Sequence, residues 1–202
     1  MYNRTVQSEP YFDASALLPS GPGSFLSSDY FGLPDEPRCE LLRGYLVLTP
    51  APSFRHQLAC ALLADLLLRY ARRIGGRSVQ SPVDVELGER TVVQPDVVLV
   101  TPSRLDRIQH HLVGAPDLAV EVLSPGTAGR DRHEKLALYA ASDLRELWLV
   151  DPGARTFEAL TRNDASFTVA LPTGGHYASP LFPALEVDLA AFWNELDAPP
   201  AV

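Results

Sequence analysis

The pattern of apolar residues predicts one long amphipathic helix over residues 54–74. Apolar side chains recur there at three- and four-residue spacing and form a wide stripe, while the arginines lie off that stripe. The stripe consists of Leu58, Leu62, Leu66 and Tyr70, with Leu63 and Leu67 beside them. Ser53 is a suitable N-cap and Gly75-Gly76 is a typical helix stop, so the sequence defines both ends of this helix.

Runs of valine and leucine predict strands that are buried on both faces. The longest run covers residues 92–100 and a second covers residues 118–123. The other predicted strands are a pair within residues 39–48, then 78–80, 83–87 and 146–150, and a terminal hairpin of 157–160 and 167–170. Further helices are predicted within 25–33, over 131–141 and over 187–196. This order predicts an α/β fold with a mixed central sheet, flanking helices and a C-terminal β-hairpin.

Two acidic residues interrupt the buried strands. Asp96 lies within the first valine-rich run and Glu121 lies within the second. An unpaired carboxylate in such a place is costly, or it holds a proton to avoid being charged. Two of them in successive core strands favour a shared cation, and a hard divalent metal such as Mg²⁺ is the simplest candidate. An ion pair with an arginine such as Arg130 is the alternative explanation.

Composition is that of an ordinary soluble domain: 202 residues, 46% hydrophobic and 21% charged. We expect one domain over residues 24–196, a poorly ordered extension at residues 1–23 and a tail at residues 197–202. No apolar run is long enough for a membrane span, and the N-terminus lacks the apolar segment of a secretory signal. The two cysteines, Cys39 and Cys60, lack CxxC spacing, which favours a cytoplasmic location and argues against a thiolate zinc site.

The charge balance restricts how this chain could bind nucleic acid. The formal net charge is −8, so phosphate groups would have to meet a local basic patch. Lys135 is the only lysine, and all other basic side chains apart from histidine are arginines. Its position in the predicted helix after the Glu121 strand therefore stands out.

The segments around the two acids resemble the PD-(D/E)XK nuclease superfamily. The motif of that superfamily is a Pro-Asp pair followed by an acid in the next core strand, and Pro95-Asp96 and Glu121 match it here. Longer stretches resemble one branch, the Uma-two family of restriction-endonuclease-like proteins, once catalogued as a domain of unknown function. The matching stretches are residues 40–44, 51–57, 82–85, 93–96, 114–125, 131–139 and 147–152. Each stretch is weak alone, but in this order they form a specific signature over residues 25–193.

The resemblance implies a metal site with Mg²⁺ as the cofactor and Mn²⁺ as a substitute. Asp96 and Glu121 would be metal ligands, with the backbone carbonyl of Val122 as a third. Glu40 would be the catalytic acid that the superfamily supplies from its first core element. The alternative for Glu40 is an ordinary exposed glutamate at the start of a strand.

The chain departs from the superfamily at one position. The motif places a lysine two residues after the second acid, where this chain has Leu123. Lys135 would supply the ammonium group from the following helix, as in related enzymes with a migrated lysine. It would orient or help deprotonate the attacking water and steady the phosphate. A solvated helix lysine is the alternative.

Three further residues are candidate substrate contacts. His56 lies in the first turn of the long helix, whose N-terminus favours anions, although a capping or packing role is the alternative. Gln94 leads into Asp96, and Arg130 is a candidate phosphate contact. The remaining candidates are Asp84, for which a cross-strand arginine partner is the alternative, and His110, His111 and His133, which are predicted at the surface.

The leading hypothesis is a Mg²⁺-dependent endodeoxyribonuclease that hydrolyses phosphodiester bonds with metal-activated water. The second is a non-catalytic nucleic-acid-binding or regulatory protein of the same fold, favoured by Leu123 and by the acidic net charge. A glycoside hydrolase with a carboxylate pair is disfavoured because no aromatic cluster for sugar stacking accompanies the acids. DNA is the expected partner, no membrane is expected, and a homodimer would suit a duplex cut.

Overall fold

The computed structural model describes residues 23–34, 36–124, 130–163 and 166–199, and for residues 130–133 the backbone alone. Of the predicted N-terminal extension only Gly23 is described, and residues 200–202 of the predicted tail also lie outside the described part. In chain order the elements are α1 (Ser27–Tyr30), β1 (Cys39–Leu42), β2 (Tyr45–Leu48), α2 (Phe54–Ile74), β3 (Arg77–Gln80), β4 (Val85–Gly88), β5 (Thr91–Val93), β6 (Val97–Val100), a 3-10 helix (Pro102–Arg107), β7 (Leu112–Val113), β8 (Leu118–Val122), α3 (Arg130–Ala141), β9 (Glu146–Asp151), β10 (Thr156–Asn163), β11 (Ser166–Ala170), β12 (His176–Ala178), β13 (Glu186–Asp188) and α4 (Leu189–Asp197).

A mixed six-stranded sheet forms the centre of the fold, with the strand order β11-β10-β9-β8-β6-β3. β8 and β9 are parallel, and the other neighbouring pairs are antiparallel. β6 and β8 are buried along their whole length, as their valine-rich sequences predict. One face of the sheet packs against α2 and α4, and the other packs against α3 and a second sheet. The predicted α/β fold with flanking helices is therefore confirmed.

Helix α2 has the predicted ends but a rotated buried face. Ser53 Oγ accepts a hydrogen bond from the backbone N–H of His56 at 3.2 Å, and Gly75 ends the helix with a φ of 78°. The most deeply buried leucines are Leu63 and Leu67. The leucines predicted at the centre of the stripe are only partly buried; they are Leu58, Leu62 and Leu66. The rotation continues the buried face through Cys60 to His56, at spacings of three and four residues.

The second sheet has five strands in the order β2-β1-β5-β4-β7. Its β1–β2 hairpin confirms the predicted turn, because Arg43 and Gly44 have φ values of 53° and 83°, as in a type I′ turn. The hairpin register pairs Glu40 with Val47, which fixes Glu40 in the middle of β1.

The prediction of one strand over residues 92–100 is wrong. The segment divides into β5, which belongs to the second sheet, and β6, which belongs to the central sheet. The division falls at Gln94-Pro95-Asp96, where Pro95 lacks the N–H group that a continuous ladder needs. From Asp96 onward the chain is paired with β8, since the Asp96 backbone N–H donates to the Val120 carbonyl at 3.0 Å.

The C-terminal segment differs in part from its prediction. The β10–β11 hairpin is present and extends the edge of the central sheet. Residues 186–188, however, form β13, which pairs with β12, and α4 begins only at Leu189. Asp188 explains the later start, because its Oδ1 accepts a hydrogen bond from the Ala191 N–H at 2.9 Å and caps the helix.

A buried glutamate ties this C-terminal segment to the central sheet. Glu146, at the start of β9, has no exposed surface. Its carboxylate accepts hydrogen bonds from Trp148 Nε1 at 2.5 Å, Tyr177 OH at 2.9 Å and Ser179 Oγ at 2.6 Å. Burial raises the pKa of Glu146, and the three donors offset this only in part.

Replacement of Glu146 by glutamine should remove a pH-dependent part of the stability. Because the pKa of Glu146 is raised in the folded chain, its contribution is complete below the unfolded pKa and is lost as the pH rises through the folded pKa. The difference in free energy of unfolding between wild type and Glu146→Gln, measured by urea denaturation over about pH 4 to 8, should therefore decrease with rising pH. Glu195→Gln, at an exposed position, is the matched control and should show a flat difference; a flat difference for Glu146→Gln would contradict the assignment.

Candidate functional site

A cavity of about 430 Å³ is lined by residues from both sheets, α2 and α3. The titratable and cationic side chains on its wall are Arg38, Glu40, His56, Cys60, Asp96, Glu121, Lys135 and Tyr139, and Gln94 also lines it. The structure therefore brings Asp96, Glu121, Glu40, Lys135 and the two candidate contacts His56 and Gln94 to one place. These residues are far apart in the sequence, and their proximity is a property of the fold.

Asp96 and Glu121 lie next to each other because β6 and β8 are antiparallel neighbours. Val97 pairs with Val120, so the same register places Asp96 opposite Glu121 at the end of β6. Asp96 Oδ2 accepts a hydrogen bond from the Val122 N–H at 2.7 Å, which fixes its carboxylate against β8. The Glu121 residue is only 9% exposed. The predicted convergence of two carboxylates at one end of the sheet is thus present.

Lys135 reaches two of the acids from α3. Its Nζ lies 3.0 Å from Glu121 Oε2 and 3.0 Å from Glu40 Oε1. We refer to these three residues as the ion triad. Glu121 belongs to the central sheet and Glu40 to the second sheet, so the ion triad joins both sheets to α3. The predicted alternative of a solvated lysine does not hold, because the side chain of Lys135 is only 15% exposed.

Tyr139 is a member of the site that the sequence reasoning did not single out. It follows Lys135 by one helical turn, so both side chains lie on one face of α3. Its hydroxyl donates to Glu121 Oε1 at 2.6 Å, and the residue is fully buried. The sequence could have indicated this role, because Tyr139 follows Lys135 by four residues and the two side chains must lie on the same face of a helix.

Electrostatics within the ion triad follow from burial and proximity. Burial raises the pKa of Glu121 to about 7; the charges of Asp96 and Glu40 act in the same direction, and Lys135 and Tyr139 oppose them. Burial alone would lower the pKa of Lys135, but the charges of Glu121 and Glu40 raise it above its usual range. Lys135 therefore stays protonated.

Arg162 on β10 holds the end of α3 that follows Tyr139. Its Nη2 donates to the carbonyls of Tyr139 at 3.0 Å and Ser142 at 2.7 Å, and its Nε donates to Leu144 at 2.5 Å. Carbonyl groups at a helix C-terminus have no partners within the helix, so a guanidinium group is well suited to bind them. Arg162 thus sets the position of the helix that carries Lys135.

Gln94 supports the site through two hydrogen bonds, one from its backbone to Glu40 and one from its side chain to Asp84. Its N–H donates to Glu40 Oε1 at 2.5 Å, and its side-chain Nε2 donates to Asp84 Oδ1 at 2.8 Å. Tyr30 OH also donates to Asp84 Oδ1, at 2.8 Å. The cross-strand arginine expected as the alternative for Asp84 is therefore not its partner; a tyrosine and an amide take that place.

His56 lies between α2 and the carboxylates. Its Nε2 is 3.5 Å from Asp96 Oδ2, and its Nδ1 is 3.4 Å from Cys60 Sγ. Burial lowers the pKa of His56, but Asp96, the backbone of Val122 and the charge of Glu121 together raise it above its usual value. This corner of the cavity therefore favours a positive charge.

Arg38 is a second residue that the sequence reasoning missed. It precedes Glu40 by two positions, so period-two alternation points both side chains the same way. Its Nη2 donates to Gln94 Oε1 at 2.9 Å and to Ser81 Oγ at 3.1 Å. Its buried Nε has no hydrogen-bond partner among the described residues. Arg38 and Lys135 are the cationic residues on the described cavity wall, His56 aside.

The other candidates lie elsewhere. The side chain of Arg130, and that of His133, lie outside the described residues. His110 is exposed, as predicted for the surface. His111 is not simply a surface residue, because it pairs with Glu86 at 3.0 Å and stacks on Phe31 with ring centroids 4.1 Å apart.

Comparison with known families gives one clear match. The family model described as "Uma2: Putative restriction endonuclease" matches residues 27–190, most of the chain. No curated protein matches the chain.

Comparison with solved structures shows the fold. The chain is similar to a crystal structure described as "a putative nuclease belonging to DUF820 from Anabaena variabilis", with a TM-score of 0.71 and 19% sequence identity. The match covers 85% of this chain and 99% of that one. None of the helices in the described part of the chain is long and apolar enough to cross a membrane.

Removal of the Lys135 charge should destabilise the protein strongly. Lys135→Met would leave Glu121 and Glu40 buried without their cation, and loss of one partner of a buried ion pair costs about 3–5 kcal/mol. Chemical denaturation at neutral pH measures this cost directly.

Two variants identify charge as the cause of that loss. Lys135→Arg keeps the charge and should lose less stability, and adding Glu121→Gln to Lys135→Met should recover part of the loss. A loss below about 1 kcal/mol for Lys135→Met, the range of an exposed pair, would contradict the ion triad.

Proposed function

The chain belongs to the Uma2 family, and we propose that it is a Mg²⁺-dependent endonuclease that hydrolyses the phosphodiester bonds of DNA. The family and the fold both support a nuclease. The observation that carries the finer proposal is the position of Lys135 Nζ, 3.0 Å from Glu121 and 3.0 Å from Glu40, in a chain whose motif position holds Leu123.

We assign Asp96, Glu121 and the Val122 carbonyl as the metal ligands. Carboxylate and carbonyl oxygens suit Mg²⁺ and Mn²⁺. The assignment is supported by the register of β6 and β8, which places Asp96 opposite Glu121, and by the hydrogen bond from the Val122 N–H to Asp96 Oδ2 at 2.7 Å, which holds Asp96 next to Val122. When bound there, Mg²⁺ would activate a water molecule and neutralise charge on the phosphate.

Lys135 has the role of a fixed positive charge. Because its pKa is raised above the usual range, it cannot accept a proton from water near neutral pH. It can donate hydrogen bonds to the attacking water and to a phosphate oxygen, and it can stabilise the charge that develops there. The same ammonium group holds Glu121 and Glu40 in place.

Glu40 and Tyr139 orient Lys135 and Glu121. Glu40 is held by the Gln94 N–H and presents Oε1 to Lys135. Tyr139 donates to Glu121 Oε1 at 2.6 Å and so fixes the carboxylate, to which Lys135 donates at 3.0 Å through Oε2 and at 3.2 Å through Oε1. We propose that Glu40 acts in catalysis by fixing the ammonium group from the side of the second sheet.

Arg38 on the cavity wall is the proposed phosphate contact. Its Nη2 already bonds Gln94 and Ser81, which fixes the guanidinium plane at the cavity wall. Guanidinium groups bind phosphate with two parallel hydrogen bonds. This contact would attract DNA locally, against a net charge of −8.

The remaining substrate and assembly features are proposals of the same kind. His56 and Gln94 would border the bound strand, and Arg130 would contact phosphate from the start of α3. A homodimer with two facing sites would allow a cut in both strands of a duplex. The two free cysteines suit the cytoplasm.

A non-catalytic nucleic-acid-binding protein of the same fold is the second candidate. The observation that favours it is the engagement of both Glu121 oxygens: Oε1 accepts from Tyr139 at 2.6 Å and from Lys135 at 3.2 Å, and Oε2 accepts from Lys135 at 3.0 Å. A protein whose carboxylates only stabilise the fold would keep these bonds and would bind DNA without cutting it.

Cleavage of supercoiled plasmid in Mg²⁺ or Mn²⁺ tests the nuclease directly. We expect nicked and linear products with wild type and at least about 100-fold slower cleavage with Asp96→Asn and with Lys135→Arg, whose longer side chain misplaces the charge.

Asp106→Asn, at an exposed position of the 3-10 helix, is the matched control and should cleave like wild type. The nuclease proposal fails if purified wild type shows no metal-dependent cleavage of double- or single-stranded DNA. It also fails if Asp96→Asn retains full activity, since that activity would then belong to another site or to a contaminant.

Loss of the Arg38 charge should weaken DNA binding and lower its salt dependence. Arg38→Met should raise the dissociation constant about 10-fold, the effect of one charge-assisted hydrogen bond. The slope of log affinity against log salt should fall by about 1, because one fewer phosphate is neutralised.

Fluorescence anisotropy with Ca²⁺ in place of Mg²⁺ measures both quantities. Arg69→Met is the matched control, because Arg69 lies on α2 with a 70% exposed side chain paired with Asp65. If Arg38→Met weakens binding without a change in slope, Arg38 positions Gln94 and does not contact phosphate.

A further inference from the structure

We infer that His56, Cys60 and Asp96 form a site for a soft or borderline divalent cation such as Zn²⁺. The three residues differ from the carboxylate set proposed for Mg²⁺, and they share only Asp96 with it. They supply a nitrogen, a sulfur and an oxygen ligand on the wall of the same cavity.

The geometry of α2 creates this arrangement. His56 and Cys60 are one helical turn apart on the buried face of the helix, so their side chains lie over each other. Asp96 enters from the start of β6 and faces the same turn. One ligand atom from each residue lies within 4.8 Å of the other two.

The ligand atoms of the three residues lie close enough to surround one ion after a local rearrangement of side chains. Zinc bonds of about 2.0–2.3 Å place ligand atoms about 3.3–3.6 Å apart. Here His56 Nδ1 is 3.4 Å from Cys60 Sγ, and His56 Nε2 is 3.5 Å from Asp96 Oδ2. Because these two contacts involve different ring nitrogens and one ion binds only one of them, coordination requires rotation of the His56 ring or of Asp96; one ligand atom of each residue already lies within 4.8 Å of the other two.

Ligand chemistry separates this site from the carboxylate site. A thiolate and an imidazole select Zn²⁺ or Co²⁺ over Mg²⁺. On coordination the Cys60 proton leaves to solvent, and the sulfur–metal bond takes the place of the S–H bond. Three protein ligands leave a fourth position open toward the cavity, where water or a substrate oxygen can bind.

Sharing of Asp96 makes the two ions competitors. An ion held by His56, Cys60 and Asp96 would occupy the carboxylate that the proposed Mg²⁺ also needs, so Zn²⁺ would inhibit the Mg²⁺-dependent cleavage. This inhibition rests on the proposed nuclease function, whereas Zn²⁺ binding itself does not.

The test is a cobalt titration of the whole protein, read by absorption spectroscopy. Co²⁺ bound to a thiolate gives a sulfur-to-cobalt charge-transfer band in the near ultraviolet, which carboxylate and imidazole ligands do not give. We expect this band with wild type and with Cys39→Ser, and its loss with Cys60→Ser. Cys39 is the matched control because it is also buried but lies on β1 beside Tyr30.

Zinc affinity provides the second measurement, by competition with a chromophoric chelator. Cys60→Ser should weaken Zn²⁺ binding at least about 10-fold relative to Cys39→Ser. His56→Gln is an independent second variant should Cys60→Ser fail to fold, as judged by circular dichroism, and it should weaken Zn²⁺ binding to the same extent.

Three results would overturn the site: no charge-transfer band with wild type, a band that survives in Cys60→Ser, or equal Zn²⁺ affinities in the two serine variants. None of these readouts involves DNA. A protein that binds Zn²⁺ through Cys60 but does not cut DNA would refute the nuclease alone, and a nuclease without the band would refute the Zn²⁺ site alone.

Discussion

The rest of this structure depends on the pair of buried ion pairs that the Lys135 ammonium group makes with Glu40 and Glu121. Lys135 Nζ lies 3.0 Å from a carboxylate of the central sheet and 3.0 Å from a carboxylate of the second sheet. Without it, Glu40 and Glu121 would repel each other across the cavity, and the two sheets would carry uncompensated charge at the place where they meet. The cation that supports the proposed chemistry therefore also holds the fold together.

The sequence predicted the parts of this site that have local signals. Two acids in valine-rich strands are conspicuous because burial of charge is costly, and Ser53 and Gly75 define α2 by capping alone. The division between β5 and β6 was missed although Gln94-Pro95-Asp96 interrupts the apolar run, because the assignment of a strand to a sheet is decided by distant partners. The buried face of α2 was misplaced because its apolar arc is wide, and packing selected Leu63 and Leu67.

Side chains whose partners are distant in the sequence were harder to recognise as site residues from the sequence. Arg38 and Tyr139 reach the site at spacings of two and four residues from Glu40 and Lys135, but such spacings are common and indicate nothing until the acids are placed. Cys60 was set aside because zinc sites are usually recognised by paired cysteines. In the proposed zinc site, His56 and Cys60 come from one turn of α2 and Asp96 comes from the start of β6. No sequence spacing links that helical pair to Asp96.

The position of Lys135 on helix α3 has a consequence for how related chains can be recognised. Its ammonium group arrives from a different element than the one the motif specifies, and Arg162 anchors the far end of that helix to β10. Searches that require a lysine two residues after the acid would discard this chain. A template written as distances among one ammonium and three carboxylates would retain it, and would also find relatives in which the lysine has moved elsewhere.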